Sequence, residues 1–132
     1  MGVLLVLAFI LLQCAPGHRV VEKEEDVLKR RVHEYWNYRI RGQSDKSYSY
    51  EHPGYKEKVP LAQYIGQFSR SPVKWEAFEI LEAWRTGEEG YVKFKGSYRY
   101  LAPDIRKGTF ERTIEERWVK EDGTWFRLPQ GF

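Results

Sequence analysis

The chain has 132 residues, 42% hydrophobic and 31% charged, which fits one globular domain rather than two. Its 22 Lys and Arg against 19 Asp and Glu give a formal charge of +3 with the signs interleaved, so neither an acidic tail nor a basic nucleic-acid arm stands out. Aromatic residues, 16% of the total, supply the bulky groups that a disordered chain lacks.

Val3 to Leu12 form an uninterrupted apolar run, followed at once by Gln13, Cys14, Ala15, Pro16 and Gly17. A helix of that length reaches roughly 15 Å, half of a hydrocarbon core about 30 Å thick, so the run reads as a secretory leader rather than a membrane span. Cys14, the only cysteine, stands directly after Leu11, Leu12 and Gln13. This resembles the lipobox of bacterial lipoproteins, in which the leader is cut just before a cysteine that carries a lipid. The resemblance implies a signal peptide over residues 1–13, a lipidated tether over 14–21, and a domain over 22–132 anchored to the membrane at the periplasmic or extracellular face of a bacterial cell envelope. The alternatives are an ordinary signal peptide cut near Ala15, with Cys14 discarded, and a mere apolar N-terminal segment. Under either secretory reading the mature domain has no disulfide and no thiol catalyst, and packing alone must hold its core.

Glu22 to Arg41 shows a helical pattern, with Val27, Leu28, Val32, Tyr35 and Trp36 forming one apolar stripe. Acids crowd its start and bases its end, as the macrodipole favours, and Gly42 supplies a stop. The Lys29-Arg30-Arg31 cluster is read as a solvated face, because Glu25 and Asp26 stand four residues ahead of Lys29 and Arg30. Ser44 and Asp45 can cap a short second helix, His52-Pro53-Gly54 reads as a turn, and Pro60 opens a further helix carrying Leu61, Tyr64, Ile65 and Phe68.

From Val73 the period changes to two. Val73, Trp75 and Ala77 alternate, then Phe78, Ile80 and Trp84 alternate on the opposite parity, and that change of phase predicts one bulge in a bent strand. Thr86 to Gly90 closes a hairpin into a strand whose apolar face is Val92, Phe94, Tyr98 and Tyr100. Thr109 to Lys120 alternates Phe110, Ile114 and Trp118, and Asp122-Gly123 turns into Trp125 to Leu128. The expected fold is therefore α+β: a long N-terminal helix and short helices packed on a bent antiparallel sheet of about four strands.

One long helix ending in Tyr35, Trp36, Arg39 and Gly42, then short helices and a sheet finishing in Trp118, Val119, Asp122, Gly123 and Trp125, resembles the nuclear transport factor two-like superfamily. The resemblance covers about Glu24 to Pro129 and implies a cone, or cystatin-like α+β barrel, that hosts ketosteroid isomerases, SnoaL-like cyclases and many non-catalytic binding modules. A plain α+β sandwich is the alternative.

Family enzymes that move protons beside a carbonyl use a carboxylate, commonly Asp, inside the cone. The four Asp here, Asp26, Asp45, Asp104 and Asp122, all fall where capping or turns explain them, so no catalytic residue is assigned. His18, His33 and His52 are far apart and make no ligand pair, so no metal or cofactor is expected. What remains are Glu82, Arg112 and Glu116 on otherwise apolar strand faces. With Trp36, Trp84, Tyr98 and Trp118 they form the candidate wall of an aromatic ligand pocket. Expected partners are the membrane, through a lipid on Cys14, and an envelope protein or small apolar ligand, with a second copy of the chain as a further candidate and no nucleic acid. The function expected is a membrane-anchored binding or assembly module of the envelope. Alternatives are a small-molecule enzyme of isomerase or dehydratase type and a secreted structural domain.

Overall fold

The structure is a computed structural model that describes residues 21–102 and 106–132. Cys14, the apolar run before it and Asp104 lie outside the described residues. Four helices, α1 (Glu24–Ile40), α2 (Ser44–Tyr48), α3 (Pro53–Lys58) and α4 (Leu61–Ser69), precede four strands, β1 (Val73–Thr86), β2 (Glu89–Tyr100), β3 (Phe110–Glu121) and β4 (Thr124–Leu128). The strands form one antiparallel sheet in sequence order. This is the expected α+β class.

Helix α1 ends as its sequence dictates: Gly42 takes φ 73°, and the Gln43 and Gly42 amides donate back to the Tyr38 and Arg39 carbonyls. Its buried residues are Leu28, Val32, Tyr35 and Trp36, the expected stripe. Arg30 pairs with Glu22 and Glu34, and Glu25 with Arg85, so the partners on the solvated face differ from those that spacing implied. Two short elements also differ. Gln43, without a side-chain bond, caps α2 in place of Ser44 or Asp45, and the His52-Pro53-Gly54 turn opens into α3 with the His52 ring accepting from the Gly54 amide.

The sheet packs its even-numbered β2 face, Val92 and Phe94, against α1. On the same face Gly90 and Gly96 give the room that Leu28, Trp125 and Trp75 occupy. Asp122 (φ 48°) and Gly123 (φ 77°) both adopt the left-handed region, which suits the tight turn between β3 and β4. The free edge of β4 is covered by the segment after α2. The Arg127 amide donates to the Tyr50 carbonyl and the His52 amide to the Arg127 carbonyl, a parallel bridge that carries Glu51 into the interior.

Strand β1 holds the main departure. Its register against β2 jumps twice, between Trp75 and Ala77 and again between Ile80 and Glu82. The first jump is the bulge that the phase change announced, but it falls before Ala77 and turns that residue outward opposite Ser97 instead of leaving it on the face of Val73 and Trp75. The second lies at Leu81 and reverses the parity once more, so that Ala83 faces Val92 while Trp84 faces Tyr91 on the outer side.

Candidate functional site

Between α1 and the sheet lies a buried polar network set among aromatic rings. Residues 32, 35, 36 and 39 fall on one face of α1, and the alternation of β3 and β4 turns Glu116, Trp118, Trp125 and Arg127 toward them. The Trp36 indole Nε1 donates to Glu116 Oε1 at 2.8 Å, and Arg127 Nε donates to Glu116 Oε2. Arg127 Nη1 reaches both oxygens of Glu51, at 3.2 and 3.3 Å. Glu51 is wholly buried and also accepts from the hydroxyls of Tyr35, at 2.9 Å, and Tyr64, at 3.0 Å. Arg39 Nη1 in turn donates to the Tyr35 oxygen at 2.7 Å.

Two carboxylates and two guanidiniums thus share one network. Their charges balance, which is what allows Glu51 and Glu116 to be buried at all. Desolvation alone would lower the affinity of Arg127 for its proton, but the Tyr35 oxygen, Glu116 and Glu51 hold it well above the ordinary guanidinium value. Burial pushes the Tyr35 hydroxyl up to about 12 and Tyr64 upward as well. Both phenols are therefore fixed hydrogen-bond donors at neutral pH and not bases or nucleophiles.

The seven residues singled out in the sequence separate into groups. Trp36, Glu116 and Trp118 come together in the core. Tyr98 sits on the same face but further along it, half-buried between Trp75 and Phe110. Glu82 and Trp84 are corrected to the outer face: the second bulge turns Glu82 into solvent and stacks Trp84 on Tyr91 at 5.5 Å. Arg112 has the inward parity but is exposed, because β4 pairs with β3 only as far as Arg117 and leaves the preceding stretch an open rim. The expected common face of seven side chains does not form.

Glu51 and Arg127 carry most of the network and were not singled out. Arg127 was legible, two residues from Trp125 and therefore on its face. Glu51 was not, because its inward turn depends on a bridge to a strand 76 residues away.

Two grooves open from this core. One, of about 490 Å³, follows the β3 rim past Arg112, Ile114 and Glu116 to Arg127 and Phe132. The other, of about 390 Å³, lies between the end of α1, α4 and the start of β1. Among the described residues no three metal-ligating side chains gather, and no helix is long and apolar enough to cross a membrane.

Neither a protein-family model nor a curated protein matches the chain. Solved structures do. A SEC-C motif protein from Rhodopseudomonas palustris is 13% identical with a TM-score of 0.57, over 80% of this chain and 75% of its own. Another from Psychrobacter arcticus is 12% identical with a TM-score of 0.62, over 85% of this chain, which spans only 64% of that protein. A Campylobacter jejuni protein described as an NTF2-like transpeptidase is 14% identical with a TM-score of 0.43, over 83% of this chain and all of its own. At such identities the two higher-scoring likenesses speak for the fold alone.

Proposed function

We propose that the chain is a non-catalytic binding or assembly module of the bacterial cell envelope, held at the membrane by a lipid on Cys14. One observation carries the non-catalytic part. The inward carboxylates, Glu51 and Glu116, are both bound by Arg127 and by aromatic donors, so each is committed to holding the interior together rather than aimed at a substrate. An isomerase or dehydratase of this fold would need a carboxylate released into a cavity, and the remaining candidate, Glu82, is in water. The anchor is supported by the apolar run of residues 3–12 and the cysteine that follows it. The two grooves supply surface on which a binding module works.

The anchor is tested by expression in a bacterial host with labelled fatty acid. The chain is expected to take up label and to sediment with membranes, and Cys14→Ser to abolish both. An unlabelled chain cut elsewhere would sink the anchored reading.

A further inference from the structure

We infer that the groove at the C-terminal end of α1 is a binding site for a small amphipathic anion, an acidic headgroup on an apolar body. The inference rests on the binding-module reading and names the class of its ligand.

The groove's charge is one-sided. Arg39, Arg41 and Lys74 line it, and among the described residues no carboxylate does. Among the described residues none of the three makes an ion pair, although Arg85, Arg99, Arg117 and Arg127 elsewhere all do. Arg39 is already balanced within the carboxylate network, and cations at a helix C-terminus answer the macrodipole, but that is about half a charge against the two of Arg41 and Lys74, and Lys74 comes from β1, which has no share in it. A net positive field is left over.

Arg39 is fixed in place before any ligand arrives. Its guanidinium lies 3.5 Å from the centre of the Phe68 ring and 5.4 Å from that of Trp36, and Nη1 is tied to the Tyr35 hydroxyl at 2.7 Å. Its other nitrogens donate to nothing among the described residues, so an acidic group meets an ordered fork without the cost of ordering it.

The remaining wall is apolar. Phe68 and Trp75 face the groove, and Ile65 stays 39% exposed beside them. An inorganic anion would leave that wall unused, and a neutral lipid would leave Arg41 and Lys74 without a counter-charge. An amphipathic anion satisfies both, and about 390 Å³ lies within the roughly 300–1,000 Å³ typical of small-molecule sites. The groove stands at the C-terminal end of α1, about 25 Å along the helix from Glu24.

The test titrates the full chain with decanoate and with 1-decanol by calorimetry, at low and high salt. Decanoate is expected to bind more tightly than decanol and to weaken with salt. Lys74→Glu and Arg41→Glu, both at exposed positions that leave the core intact, are each expected to weaken decanoate about fivefold or more while changing decanol less than about twofold. Equal binding of the two probes, or insensitivity to both charge reversals, overturns the anionic class and leaves the binding-module reading standing. Binding of neither probe overturns the site, while the label on Cys14 decides the anchored reading separately. Competition by vesicles of anionic lipid overturns the free-ligand assignment in favour of a membrane surface.

Discussion

Arg127 is the residue on which the interior depends. It bridges Glu116 and Glu51, which are 6% and 0% exposed, and its loss leaves two buried carboxylates without a direct ion pair. Arg127→Ala is expected to cost about 3–5 kcal/mol in urea denaturation, the range for breaking a buried pair. Glu82→Ala is expected to stay within about 0.5 kcal/mol, as solvent-facing changes do. A cost at Glu82 equal to that at Arg127 would restore Glu82 to the interior. The phenols add a pH dependence. The Tyr35 hydroxyl is raised by burial to about 12, and Tyr50, buried and donating to Glu34 at 2.8 Å, is raised to the same value. An unfolded phenol titrates near 10, so the protonated form is favoured in the fold. The stability tied to Tyr35 is full below about pH 10 and is lost as pH rises through the folded value, a loss of roughly 2–3 kcal/mol. The urea midpoint is expected to fall across that window and less steeply in Tyr35→Phe. A midpoint flat across it would mean that these phenols ionise without opposition.

Strand β1 shows how one extra residue redirects a whole element. Up to Ile80 its inward residues are those that alternation assigned except Ala77, which the first bulge turns outward, and beyond Leu81 they are the opposite ones. Trp84→Ala is therefore expected to cost less than Trp36→Ala, since Trp84 only stacks on Tyr91 at the surface while Trp36 is buried and bonded to Glu116. Strand β2 carries the converse constraint. A Cβ built on Gly96 comes within 2.5 Å of the Trp75 ring, so that glycine makes room for an indole across the strand pair. Gly96→Ala is expected to destabilise by about 1–3 kcal/mol through overpacking, and a neutral result would mean that Trp75 is free to move aside.

One core joins the helical and the sheet halves: Leu28, Val32, Tyr35 and Trp36 from α1 meet Val92, Phe94, Trp118 and Trp125 from three strands. The domain is accordingly expected to melt in a single transition, with tryptophan fluorescence and far-ultraviolet dichroism coincident, and separate transitions would mean two cores. Val32→Ala is expected to lower that stability by about 1–4 kcal/mol. Much of this architecture was written in local pattern. The stripe of α1, the stop at Gly42, the alternation of β2 and β3 and the Asp122-Gly123 turn each follow from spacing and backbone preference, which a short stretch of chain specifies alone. The interior network was not. Glu116 was visible as a charge on an apolar face, but the partners that neutralise it come from α1, from β4 and from the segment that bridges β4's edge, and no periodicity relates those distant positions. The second bulge was equally silent, because Leu81 and its neighbours fit either parity until β2 is laid beside them. The local elements belong to the sequence for a physical reason: dihedral preference and hydrophobic spacing act between near neighbours. Charge pairing and strand register act between segments that only folding brings together, so they were decided in the tertiary structure.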